Sequence, residues 1–531
     1  MIQNLMTSSA DQKLEADVAI IGGGTVGLVI AVLLSRKGLR VVVVESGQEQ
    51  QTEDRHPLNE VIQTGAIYKG AEEGRFRCLG GSSTRWGGAL IPFLPQDADP
   101  IAGWDAIWPV GVEAFTRYQG DVEQLFGVSE GPYEAPEVVG HKEAAQLDFI
   151  PRLAKAIPVS NRNTANLLRK ELERESGPQI WLGATVSDFS LDSSGRMETV
   201  CARSLNGRLL SVKAREVVVA AGAIESTRIL LLLDRRYGHR IFAPDNILGR
   251  FFHDHLAAPT ARIQVCDDRA LNRTAGIRFE HKMLRFLRLE PNPKLRKRLG
   301  SCTGFAHISF ASHSQNGLDA LRGIVGARQE GRFPSTSDLL LLASQLPWFA
   351  RAVWWRMAEK RLLYPPGATH QLEMVIEQTP LARNRITLSS ERGDFFGNPL
   401  AEIDWRPSDE DARNAAILTE HFVRFWEASA LASVARFEIK PQATILEELA
   451  SGGGVYHPGG STRMGKSPTT GVVDKNLQTF AIPNLSVLST SAFPTGGGAN
   501  PTMMLLMAAF RLADRLTPRL LKTGRTYCLE S

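Results

Sequence analysis

Residues 17–45 read DVAIIGGGTVGLVIAVLLSRKGLRVVVVE. Val18 to Ile21 is a short apolar run of the kind buried in a parallel sheet. Gly22, Gly24 and Gly27 follow at the G-x-G-x-x-G spacing that opens a helix. Gly22 permits the tight turn, Gly24 lets the backbone approach a pyrophosphate, and Gly27 lets the helix pack close on its strand. The helix N-terminus, with Thr25 and Val26 in the turn, is then aimed at phosphates. The second strand, Val41 to Val44, ends in Glu45, an acid placed about 20 residues past the glycines to accept from a ribose hydroxyl. An apolar helix hairpin capped by glycines is the bland rival, and the β-branched run argues against it. The stretch predicts one βαβ unit that binds a dinucleotide, and it leaves NAD and FAD equally open.

Outward from this unit, 531 residues with 43% hydrophobic content suffice for two to four domains with large cores. The net charge of +4 points to no nucleic-acid partner. Cys78, Cys201, Cys266, Cys302 and Cys528 lack C-x-x-C spacing, which suits neither a disulfide framework nor a zinc site and favours a reducing compartment. The first sixteen residues lack the apolar core of a secretory signal and read as a loose arm. No apolar run reaches the ~18 residues a membrane span needs. The nearest, LLLLASQLPWFARAVWWRM at 339–357, has three readings: a buried helix of a second domain, a subunit contact or lid, and membrane-surface docking.

Residues 77–90, RCLGGSSTRWGGAL, are too glycine-rich to hold themselves in place. They read either as a backbone cradle for phosphates or a ring edge, or as a mobile surface loop. Residues 161–175 suggest an amphipathic helix, and Asn206-Gly207 a hairpin turn. EVVVAAGAIESTRILLLL at 216–233 gives a strand ending in Ala220, Ala221 and Gly222, where a ligand can lie close to backbone, and then a helix. From 263 to 449 strand-like alternation dominates, interrupted by basic helical pieces such as KMLRFLRLEPNPKLRKRLG at 282–300. This predicts an antiparallel sheet with helices on one face. The end returns to the first style, with GGGVYHPGGSTRMG at 452–465, FPTGGGANP at 493–501, and a nearly all-apolar helix.

Together, G-G-G-T-V-G with Glu45, L-G-G-S-S-T-R-W-G-G, A-A-G-A-I-E-S-T-R, Asp254-His255, Y-H-P-G-G-S-T-R-M-G and F-P-T-G-G-G-A-N-P resemble the glucose-methanol-choline family of FAD-dependent oxidoreductases, with motifs most similar to its pyranose-oxidase-like branch. The resemblance covers most of the chain. It implies an α/β fold: a discontinuous Rossmann-like FAD-binding domain plus an α+β substrate domain with a large antiparallel sheet. The expected segments are 14–130, 161–262 and 450–520 for FAD, 131–160 for a lid or substrate-side segment, and 263–449 for the substrate sheet. The resemblance places His457 and Asn500 as the catalytic pair. His457 accepts the hydroxyl proton while the hydride moves to flavin N5, and Asn500 holds the hydroxyl. Read without it, His457 is a loop histidine and Asn500-Pro501 an N-cap with proline at the first helical position.

By the same resemblance, Gly22, Gly24, Thr25, Val26, Gly27, Glu45, Ser82, Ser83, Arg85, Trp86, Gly87, Gly88, Val186, Ala221, Gly222, Ser491 and Pro501 contact FAD, and no metal is implied. Arg85 stands where some sugar-oxidising relatives carry the histidine that binds flavin covalently, so FAD is expected to be non-covalent. Ser489 stands where relatives often carry an acid. The expected reaction is oxidation of CH–OH to a carbonyl on a sugar, glycoside or polyol. A non-sugar alcohol, a non-oxidative lyase and a flavin-binding subunit without turnover are the alternatives. O2, a quinone or a redox partner is the electron acceptor. Nucleic acid is not an expected partner, nor is membrane, and the compartment is cytoplasmic.

Overall fold

The computed structural model describes residues 1–51, 55–139, 148–242, 247–311, 315–365 and 367–527. Cys528 and part of the expected lid, 140–147, lie outside the described residues. One eight-stranded sheet holds five parallel strands in the order Ile2–Asn4, Gln179–Leu182, Val41–Val44, Gln12–Ile21 and Leu209–Val219. The last of these is shared. Its first half pairs antiparallel with Met197–Arg203, which pairs on to Thr185–Leu191, and its second half pairs parallel with Leu485–Val487. Val41 to Val44 are all buried, as strands covered on both faces require. The Thr25–Ser35 helix packs against the Thr502–Tyr527 helix, where Met503, Met504, Leu506 and Met507 are fully buried. The first residues are no loose arm. Ile2–Asn4 closes the edge that Gln179–Leu182 would otherwise leave unpaired, and Leu5 is buried beside it.

A second sheet is antiparallel throughout, in the order Ala435–Ile439, His255–Val265, Thr369–Glu377, Gly304–Ala311, Met283–Pro291, Phe149–Ala156 and Ala89–Leu90, with Arg278–Glu280 paired to Met283–Pro291. Leu289, Ala306, Leu372, Met374 and Ile376 face an apolar core completed by Leu418 and Phe422 of the Asp409–Ala428 helix. The opposite face carries Arg152, Arg288, Phe305 and Glu377, all buried yet mostly polar. One expectation changes here. The basic stretch at 282–300 is a strand followed by the short Pro293–Leu299 helix, because alternate side chains divide between the apolar core and the polar face. Phe149–Ala156, inside the segment expected as a lid or substrate-side piece, is an interior strand of this sheet. A third sheet joins Arg385–Gly393, Pro399–Asp404 and Val61–Gln63.

The Trp-rich stretch forms two helices, Thr336–Ser344 and Leu346–Glu359, following Gly317–Gln329. Burial holds only for Trp348 and Trp355 among its tryptophans. Leu340, Leu346, Trp354 and Met357 are 71%, 59%, 59% and 77% exposed, so the buried-helix reading fails for most of the stretch. Leu346, Ala350, Val353, Trp354 and Met357 recur at helical spacing on one solvent-facing stripe. Among the described residues no helix is long and apolar enough to cross a membrane.

Candidate active site

A cleft opens at the carboxyl ends of the parallel strands, the usual ligand site of such sheets. Ile21, Glu45 and Ala220 at the strand ends line it. Gly22 has φ +109°, and a Cβ there would sit 2.6 Å from the Ala220 carbonyl oxygen, so the tight turn admits only glycine. A Cβ on Gly27 would meet the Gly22 carbonyl oxygen at 2.0 Å, which is the close helix–strand packing the spacing predicts. Gly24 and Gly222 differ, because a Cβ on either would enter empty space along the cleft wall. That is bare backbone beside a helix start, a cradle suited to a pyrophosphate. Thr25, Val26, Ser82, Trp86, Val186 and Ala221 complete the wall, and the residues present fit a dinucleotide. The Glu45 carboxylate accepts from the Gly23 and Gly47 amides at 2.6 and 2.7 Å and keeps lone pairs for a ribose hydroxyl, while burial pushes its pKa up.

The other expected contacts are not among the residues lining this cleft. Ser83 is bonded into the fold, donating to the Gly80 carbonyl and accepting from the Thr164 amide. Ser491 accepts from the Thr462 hydroxyl at 2.7 Å and is fully buried. Arg85 donates to the Gln51 carbonyl, lies 3.5 Å from Glu330 and lines a separate hollow. Gly88 passes its carbonyl to the Ile157 amide, a Cβ on Gly87 would meet open space, and Pro501 accepts the first bond of the last helix from Leu505. The cleft also holds residues that motif reading passed over. Arg75 and Arg77 converge on Glu225 at 3.3 and 2.8 Å, and Arg228 joins them at 3.0 Å. Despite its burial, these cations hold Glu225 down to about 2. The R-F-R and E-S-T-R runs were the available signal.

His457 and Asn500 both lie by the polar face of the second sheet, His457 tied to Asp254 and His255 and Asn500 to Arg288. Asp254 Oδ1 accepts from the backbone amides of His255 and His457 at 2.6 and 2.7 Å, and Oδ2 accepts from the Tyr68 hydroxyl at 2.7 Å. One buried carboxylate thus fixes the main chain that presents His457. Tyr456, just before it, adopts φ +64°, a left-handed conformation that a bulky residue holds only under constraint. Burial pushes Asp254 up to about 7 against these donors. His255 Nε2 is 2.8 Å from the carbonyl oxygen of Gly497 in the loop leading to Asn500, and its ring meets that of His457 edge-on at 5.2 Å. The ligand atoms of Asp254, His255 and His457 lie within 4.8 Å of one another, but both Asp254 oxygens already serve N–H and O–H donors.

His457 is half-buried, with its Nδ1 sealed from solvent and without a hydrogen-bond partner among the described residues. Burial, then the neighbouring His255 and Arg288, push its pKa well below the ordinary 6.5, so the imidazole is neutral and holds a lone pair. Asn500 does not use its Oδ1 to cap the helix; that atom accepts from Arg288 Nη2. A guanidinium only donates, so the amide oxygen is committed to Arg288 and the amide nitrogen keeps its two N–H groups for another partner.

With this geometry in hand, the comparisons with known proteins converge. A family model described as GMC oxidoreductase matches residues 380–509, and one described as FAD dependent oxidoreductase matches residues 17–246. Paromamine 6'-oxidase from Streptomyces fradiae is 24% identical over 94% of this chain and 90% of its own. The 2-methyl-1,2-propanediol dehydrogenase of Mycolicibacterium austroafricanum is 22% identical over 97% of each. The solved structure of a formate oxidase from Aspergillus oryzae shares the fold, with a TM-score of 0.56 and 16% identity over 96% of this chain and 99% of that one. The chain belongs to the glucose-methanol-choline family of FAD-dependent oxidoreductases. It is an enzyme that oxidises CH–OH groups with FAD as its cofactor.

Proposed function

We propose that His457 and Asn500 are the catalytic pair of this oxidation, acting on a sugar, glycoside or polyol. Bound FAD supplies a two-electron hydride acceptor. The neutral His457 imidazole takes the hydroxyl proton, and an Asn500 N–H holds the alcohol oxygen, leaving the O–H free to point at the histidine. The observation that carries this reading is the Arg288–Asn500 bond, which commits the amide oxygen and leaves Asn500 with a donor, not an acceptor, to offer a substrate. Asp254 keeps the histidine loop in register, and the Arg288 charge favours an oxygen that is losing its proton. Two relatives are named for oxidising paromamine and a propanediol, which supports a polyhydroxylated substrate. The presence of both residues weighs against a lyase and against an inactive flavin-binding subunit. Anaerobic addition of sugars and polyols, with flavin absorbance as the readout, tests the reading. At least one should bleach the flavin, and a protein that none of them reduces overturns it. Readmitting air then separates O2 from a quinone or redox partner as acceptor.

The cofactor is held without a covalent bond on this reading, since the Arg85 guanidinium occupies the position of the linking histidine and is engaged with Gln51 and Glu330. Acid denaturation followed by filtration is expected to release the yellow colour, and colour that stays with the protein contradicts the assignment. The unpaired thiols of Cys78, Cys201, Cys266 and Cys302 support a reducing, cytoplasmic setting.

A further inference from the structure

Arg288 is built into the active site in a way that proton abstraction alone does not require. It lies on the Met283–Pro291 strand, on the polar face of the second sheet, and is 7% exposed. The Phe305 ring lies 4.0 Å from its guanidinium carbon and holds the plane. One nitrogen, Nη2, is bonded to Asn500; the other, Nη1, is sealed from solvent and has no hydrogen-bond partner among the described residues. A buried guanidinium N–H without an acceptor is costly, by more than an ordinary lost hydrogen bond.

Among the described residues no acid forms an ion pair with Arg288, although Glu290 is close enough for its charge to act on it and keeps a buried Oε1 that also has no partner. Glu290 is paired with Arg152 at 2.7 Å, and Arg152 also donates to the Pro92 carbonyl. Glu377 accepts from the amides of Thr303 and Gly497 at 2.9 Å each and lies 3.8 Å from Arg296. Glu373 is 3.3 Å from His307, and Asp254 serves the histidine loop.

We propose that Arg288 Nη1 is the seat of an anionic group on the substrate, so that the preferred substrates are hydroxy carboxylates whose carbinol lies beside Asn500 and His457. This rests on the reading of that pair given above. A carboxylate oxygen supplies the acceptor Nη1 lacks, and the guanidinium plane fixed by Phe305 and Asn500 sets where the carbinol stands. The reaction balances without another reagent. The carbinol carbon loses hydride to bound FAD, the hydroxyl proton goes to His457, the C–O bond becomes C=O, and the carboxylate is unchanged.

The test uses the FAD-loaded enzyme and matched pairs: gluconate against glucitol, and lactate against propane-1,2-diol. The wild type is expected to reduce its flavin with the acid of a pair at higher kcat/KM than with the neutral partner. In Arg288→Gln both rates fall, because Asn500 loses its anchor, but the acid-to-neutral ratio falls at least tenfold further, with Arg288→Lys between the two. Titration with acetate, which cannot be oxidised, reads the subsite apart from turnover. It should perturb the flavin spectrum of the wild type and bind at least tenfold more weakly in Arg288→Gln. Equal ratios in wild type and variant, or acetate binding that ignores the substitution, overturn the anion seat and leave the alcohol-oxidising pair standing. Acetate binding that depends on Arg288, with no alcohol of either kind bleaching the flavin, would instead overturn the pair and keep the seat.

Discussion

His457→Ala is expected to slow flavin reduction by roughly two to four orders of magnitude, the range for a lost general base. Stopped-flow bleaching at saturating substrate measures it, and a variant that bleaches as fast as wild type removes the histidine from the reaction. Apart from the edge-on contact with the His255 ring, the Nδ1 of this side chain has no partner among the described residues, and the bond that holds the loop comes from its backbone amide, which alanine keeps. Loss of rate would therefore report chemistry rather than unfolding. The pH profile carries a second signature. Because burial and the adjacent His255 and Arg288 lower its pKa, His457 stays unprotonated below the ordinary 6.5, so the acid limb of the reductive rate should fall below pH 6.5. The stability sign is the same as for any depressed histidine. The contribution is complete above 6.5 and declines as pH falls, because the unfolded chain takes up the proton first. An unchanged limb in Asp254→Asn would assign it to the imidazole rather than to the carboxylate beneath it.

Gly24→Val is the second large effect, and it falls on the cofactor. Gly24 has φ −78° and ψ −170°, which any residue adopts, and a Cβ there meets no protein atom within 4 Å. The variant should fold, with a circular dichroism spectrum like that of the flavin-free wild type. Its added methyl groups would stand in the space left for the pyrophosphate. An overpacking cost of about 1–3 kcal/mol corresponds to FAD held roughly 5- to 150-fold more weakly. The variant is expected to purify colourless and to regain activity only with added FAD. A yellow, fully loaded Gly24→Val protein would mean that the phosphates lie elsewhere. Gly22→Val would not discriminate, because its collision with Ala220 damages the fold itself.

The first sheet was legible because its signals are local. The Val18 to Ile21 and Val41 to Val44 runs, the glycine spacing and the Ala220-Ala221-Gly222 strand end each decide their own geometry within a few residues, and all stand where expected. Arg288 was not legible for the opposite reason. Its stretch carries arginines three apart, which mimics a helix face, and only pairing with Phe149–Ala156, far away in sequence, makes it a strand. The role of Asp254 is likewise set by two backbone amides, and backbone amides leave no mark on a sequence. The Trp-rich helices failed for a simpler reason. Apolar residues at helical spacing predict a covered face, but they do not say which molecule does the covering.

That uncovered stripe governs how the protein behaves in bulk. Leu346, Val353, Trp354 and Met357 present greasy side chains to water in one row. Sulfate strengthens the drive to hide such surface, so the enzyme should salt out early, cling to phenyl resins and cloud when concentrated. Replacing the four with glutamine or serine should raise the concentration it tolerates without dimming its yellow centre.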